Sequence, residues 1–142
     1  MIVYNTDEIK MPVFPRRIIS RWIKIVAENY KKRVGDISYI FCSDKKILEV
    51  NKEYLKHGYY TDIITFDYSE NNVISGDIFI SVDTVRTNAE KFGDTYSNEL
   101  HRVIIHGILH LCGIDDKAPG ARAVMEKNED EALILLENLL KT

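Results

Sequence analysis

The chain has 142 residues, 45% hydrophobic and 29% charged, with a formal net charge of −3, a length and composition suited to a single domain, 1–142, around one core. The opening MIVYNTDEIKMPVF lacks the basic start and apolar run of a secretory signal, and no window reaches the roughly 18 apolar residues of a membrane span, which predicts a cytosolic protein that crosses no membrane. Two cysteines, Cys42 and Cys112, in apolar segments and without C-x-x-C spacing, argue against a disulfide framework or a thiolate zinc site and for reduced, packed thiols.

The net charge hides an asymmetry. Residues 1–60 hold 12 Lys and Arg against 7 Asp and Glu, whereas residues 61–142 hold 7 against 15. A basic face able to meet nucleic acid is therefore permitted, although most surface charges are simply solvated.

MIVYN reads as a short strand, and FPRRIISRWIKIVAENYKKRVG as an amphipathic helix with Ile18, Ile19, Trp22, Ile25, Val26 and Tyr30 on its apolar face. Pro15 suits its first turn, Lys31, Lys32 and Arg33 its carboxyl end, and Gly35 its termination. DISYIFC follows as a strand, and Ser43 or Asp44 caps a helix running to about Leu55. DIITFDY and VISGDIFIS form a hairpin across SENN, and Gly76 marks a bulge or a close backbone approach. Helices are expected near 82–91, ending at Gly93, from about Ser97 to Cys112, and from about Gly120 to Leu140. The order βαβαββααα predicts an α+β fold, a mixed four-stranded sheet with helices packed over it and no second domain.

ELHRVIIHGILHLCG is apolar over most of a helix circumference, as in a helix threaded through a core, where imidazoles are out of place. His106 and His110, four apart, share one face with side chains about 5–6 Å apart, close enough to reach one zinc ion. Satisfied core histidines are the alternative. Gly113 can take a left-handed conformation and turn the chain back, so that Asp115 and Asp116 follow in a returning loop, and H-x3-H-x5-D results if Asp116 is the third ligand. Three protein ligands leave a coordination position open, the catalytic rather than the structural pattern. His101 lies about 140° around the helix from His106 and reads as a surface group or a support for the ligands. His57 falls in a loop, and Cys112, nearly opposite His110, reads as packing. Gly107 leaves no carboxylate beside His106 to serve as the base of an H-E-x-x-H protease.

HGILHLCGIDD, residues 106–116, resembles the H-G-x-L-H-L-x-G-Y-D-H motif of the YbeY family, bacterial endoribonucleases and ribosomal RNA maturation factors. NKEYLKHGYYTDIITF is similar to that family's N-x-x-Y-R followed by T-D-V-L-S-F, and SGDIFIS to its G-D-I strand, so that the ordered segments span about residues 48–137. The resemblance implies a metzincin-like histidine helix with a metal site at its end. One zinc ion per chain would be held by His106, His110 and Asp116, which act in catalysis through the metal. It also implies a zinc-dependent endoribonuclease specific for single strands, acting in the cytoplasm on the 3′ end of small-subunit ribosomal RNA and in ribosome quality control, with the small subunit or its assembly proteins as partners. A non-catalytic, zinc-containing assembly factor is the alternative, and a metallopeptidase ranks last because of Gly107.

Two positions depart from the family pattern. Asp116 stands where the family has histidine, which makes the site one charge more negative and implies lower Lewis acidity. Leu55 aligns with the family's arginine, and the adjacent Lys56, a candidate catalytic cation, lies about 100° further round a helix and lacks the guanidinium fork. Asp115 is a candidate for orienting water or a ligand. Thr61 and Asp62 either cap a strand start or shape a cleft, and Asp77 reads as structural. Arg16, Arg17, Arg21 and Lys24 are candidates for an RNA face, and Tyr59 and Tyr60 for stacking on unpaired bases.

Overall fold

The computed structural model describes residues 1–54, 61–114 and 117–142. The described elements run β1 (Ile2–Thr6), α1 (Arg16–Asn29), β2 (Arg33–Cys42), α2 (Asp44–Tyr54), β3 (Ile63–Asp67), β4 (Val73–Ser81), α3 (Val82–Phe92), α4 (Tyr96–Leu111) and α5 (Ala121–Lys141). The strands form one mixed sheet in the order β1-β2-β4-β3, with β1, β2 and β4 parallel and β3 antiparallel to β4. This is the α+β arrangement that the element order implied. None of the described helices is long and apolar enough to cross a membrane.

Strand β4 shows how the sheet sorts its residues. Ile74, Gly76, Ile78 and Ile80 alternate as buried positions, the period-two pattern of a strand with one face on the main core. That face meets α1 and α4, and α5 packs across these two helices. Two side-chain bonds lock the layers: the Trp22 indole N–H of α1 donates to the Ala132 carbonyl of α5 at 2.7 Å, and the Tyr39 hydroxyl of β2 donates to the Ile104 carbonyl of α4 at 2.9 Å. On the opposite face, Ile47 and Val50 of α2 form a smaller cluster with Cys42 and Ile64, against which Phe66 and Phe79 pack. Ser43 caps α2 through the Lys46 N–H, while Asp44 accepts hydrogen bonds from Ser81 and Thr84 and ties α2 to the start of α3.

Gly35 does not end α1. The helix stops at Asn29, and Lys31 takes the left-handed conformation, φ 61°, while the N–H groups of Lys31 and Lys32 close on the Glu28 and Ala27 carbonyls. No basic residue falls in its last turn, so Lys31, Lys32 and Arg33 lie beyond the helix rather than at its carboxyl end. Gly35 instead sits in β2, where the pairing with β4 slips between Val34 and Ile37, and a Cβ there would lie 2.4 Å from Ser75 Oγ. Gly76 is the close approach: a Cβ would come within 2.3 Å of the Phe66 carbonyl oxygen across the hairpin.

Candidate metal centre

Helix α4 is buried along most of its length, from Leu100 through Val103, Ile104, Ile105, Ile108 and Leu109 to Leu111. His106 and His110 are half-buried positions on the face left by this apolar surround, and both line a cleft of about 1040 Å³. The helix ends in a tight reversal in which the Gly113 N–H donates to the His110 carbonyl, the Ile114 N–H donates to the Leu109 carbonyl, and Gly113 takes φ 101°. The chain therefore turns at Gly113, as the sequence implied, and Ile114 packs back on the core.

Gly107 is a packing residue. A Cβ at this position would lie 3.0 Å from Ile78 Cδ1 and 3.2 Å from Ile63 Cδ1, so the absent side chain is what lets α4 approach the sheet. A glutamate beside His106 would meet β3 and β4 rather than the cleft.

The cleft also brings together segments far apart in the chain. Asn51 from α2, Thr61 and Asp62 before β3, and the two histidines of α4 line it in common. Asp62 has its carboxyl pushed above the usual range by burial, with the nearby His106 opposing the shift. Thr61 donates to the Ile63 carbonyl at 3.3 Å, so the strand-start role and the cleft-shaping role coexist.

Glu129 of α5, which sequence reasoning passed over, reaches His106: its Oε2 lies 2.7 Å from Nδ1, while its Oε1 accepts from Arg102 at 2.8 Å. Arg102 donates in turn to Asp130 at 2.6 Å. Glu129 is 6% exposed, and its signal was present in the sequence, because it occupies the buried α5 stripe formed with Met125, Ala132 and Leu136. A carboxylate at Nδ1 favours the tautomer with the proton on that nitrogen and the lone pair on Nε2, the form in which imidazole binds metals. By donor chemistry the two imidazoles fit zinc. Among the described residues no three His, Cys, Asp or Glu side chains form a metal-binding group. Asp116, the third ligand expected from the sequence, lies outside them, as do Asp115, Lys56, Leu55, His57, Tyr59 and Tyr60.

The remaining candidates separate from this cluster. His101 is not a surface group: it is 6% exposed, its Nε2 meets no hydrogen-bond partner among the described residues, and burial lowers its basicity. Cys112 is half-buried against the core with its thiol pushed up to about 11 by burial, consistent with packing, and both cysteines are free. Asp77 accepts a 3.3 Å bond from the Tyr68 hydroxyl on the sheet. Arg16, Arg17, Arg21 and Lys24 lie exposed on α1 and are not among the residues lining the cleft.

Over nearly its whole length the chain is similar to known proteins. The chain is 65% identical over 135 residues to an endoribonuclease YbeY of Parabacteroides distasonis, covering 95% of each chain. It is 62% identical to that of Bacteroides thetaiotaomicron, with 94% of this chain and 98% of the relative covered. A solution structure of a Thermotoga maritima protein superposes with a TM-score of 0.65 at 25% identity, covering 97% of this chain and 93% of the other. The family model described as endoribonuclease YbeY matches residues 2–137, and the chain belongs to that family.

Proposed function

We propose that this member of an endoribonuclease family is a zinc-dependent enzyme that cuts single-stranded RNA, acting in the cytoplasm on the 3′ end of small-subunit ribosomal RNA, in contact with the small subunit or its assembly proteins, and in ribosome quality control. The observation that carries the metal dependence is the pair His106 and His110 on one face of α4 with His106 Nδ1 held by Glu129. His106, His110 and Asp116 would hold the ion, one per chain.

Bound zinc supplies a Lewis acid for a phosphoryl oxygen and lowers the pKa of water. The chain's own residues supply position. Glu129 fixes the tautomer and ring orientation of His106, and Arg102 anchors Glu129 from its other oxygen, so neither imidazole orientation nor carboxylate direction is left to solvent. Asp62 brings a half-buried carboxyl to the same cleft. Asp115 is assigned to orienting water or a ligand, and Lys56 to holding the RNA backbone.

A second reading, a non-catalytic assembly factor with zinc as a clamp, is favoured by Leu55 at the position of the family's arginine. A peptidase is disfavoured by Gly107, which places no base beside His106. The deciding experiment combines elemental analysis with cleavage of an unstructured RNA for wild type, His110→Ala and Glu129→Gln. Wild type should carry about one zinc and cleave, His110→Ala should lose both, and Glu129→Gln should bind zinc about 10- to 100-fold more weakly. Full cleavage by a metal-free His110→Ala protein would refute the metal-dependent enzyme. Stoichiometric zinc without cleavage would select the assembly factor.

A further inference from the structure

Seven residues before His106, on the same side of α4, Glu99 also lines the cleft. It is 6% exposed, and among the described residues its carboxyl makes no hydrogen bond or ion pair. The nearest cation, Arg102, is already engaged by Glu129 and Asp130. Two turns of helix correspond to a rise of about 10 Å, which places Glu99 beyond bonding reach of an ion at the histidines, roughly one to two nucleotides along a bound strand.

The α3–α4 corner sets an aromatic ring into the same cleft. Helix α3 ends at Phe92, Gly93 takes φ 69°, and α4 begins three residues later at Tyr96 with Thr95 as its cap. Phe92 lines the cleft and is 61% exposed, so its ring is accessible to a flat ligand in the cleft. The Lys91 ammonium lies 6.0 Å from its ring centroid, so a cation stands beside the ring.

We propose that Phe92 and Glu99 form a nucleobase subsite, in which an unpaired base bearing an exocyclic amino group stacks on Phe92 and donates that amino N–H to the Glu99 carboxyl. Uracil, with no exocyclic amine, is the base this subsite disfavours. Stacking on an aromatic face is indifferent to sequence, whereas hydrogen bonding to a carboxyl acceptor is not, so affinity comes from Phe92 and discrimination from Glu99. The burial that raises the Glu99 carboxyl to about 7 keeps it partly neutral and reduces its repulsion of the RNA backbone. This subsite rests on the reading of the cleft as an RNA site.

The test is equilibrium binding of labelled hexaadenylate, hexacytidylate and hexauridylate to the zinc-loaded wild-type chain, Phe92→Ala and Glu99→Ala, with circular dichroism and thermal melting to confirm folding. Glu99→Gln serves as a second, near-isosteric variant. Wild type should prefer the adenylate and cytidylate oligomers over the uridylate by about tenfold. Phe92→Ala should weaken all three by a similar factor of about ten, Glu99→Ala should erase the preference, and Glu99→Gln, which retains an acceptor oxygen, should keep part of it. Equal wild-type affinity for all three oligomers, or wild-type behaviour of Phe92→Ala, overturns the subsite while leaving the nuclease reading intact. Failure of wild type to bind any of them overturns both.

Discussion

A carboxylate at position 107 would convert HGILH into the H-E-x-x-H of a metallopeptidase, but the sheet leaves no room for one. Gly107→Glu should cost more than about 3 kcal/mol, because it pushes an unpaired charge against Ile78 and Ile63. Gly107→Ala should stay within about 1 kcal/mol of wild type, since its gain in helix propensity opposes a contact that a flexible isoleucine tip can relieve. Urea unfolding of both variants checks the pair, and a stable Gly107→Glu would refute the packing role. Glu99 makes a pH prediction. Its carboxyl is raised to about 7 by burial first, then by Asp62, Glu129 and Asp94, with Arg102 opposing. A folded-state value above the unfolded one means the folded chain holds the proton more tightly. The Glu99 contribution is therefore full below about pH 4.5 and fades as pH rises through about 7. Metal-free wild type should lose on the order of 2 kcal/mol across that window from this group, and Glu99→Gln should flatten the slope in urea titrations at pH 5 to 8. The histidine pair was legible because charged or polar residues interrupt an apolar helix. Glu99 and Glu129 were equally legible as carboxylates within buried stripes, but the partners of Glu129 lie on α4 and the cleft that Glu99 lines is built from several elements, so no local pattern names either role.

At the scale of elements, the nine described strands and helices follow the order read from periodicity, with ends displaced by a few residues. The instructive miss is the α1–β2 junction. A glycine after a basic run is a common helix stop, yet here the stop is Lys31 at φ 61°, and Gly35 is reserved for the bulge against Ser75 and Val73. That close approach is a nonlocal demand of β4 on β2, invisible in residues 29–36 alone. Lys31 is exposed and pays a steric cost for its left-handed backbone that glycine would not. Lys31→Gly should therefore stabilise the chain by about 0.5–1 kcal/mol and raise its melting temperature by a few degrees. Calorimetry reads the shift directly, and a destabilised variant would mean the Lys31 side chain holds a contact more valuable than its backbone strain.

At the scale of the molecule, strand order β1-β2-β4-β3 could not be read from periodicity, because alternation says which face of a strand is buried and not which neighbour it pairs with. That order is what carries the site: it places β4 and the antiparallel β3 under α4, so Ile78 and Ile63 press on Gly107 while His106 and His110 look into the cleft. The proposed ion would then join α4 to the chain beyond Gly113, and Glu129 would couple it to α5. A ligand bound only by the folded chain stabilises it by about 2.7 kcal/mol at a free concentration 100 times its dissociation constant. For a chain of this length that corresponds to roughly 8 °C in melting temperature. Calorimetry of metal-free protein titrated with zinc should show this rise in wild type, a rise displaced to higher zinc in Glu129→Gln, and none in His110→Ala. An equal rise in His110→Ala would place the ion elsewhere, and a flat wild-type profile would remove the metal from this cleft altogether.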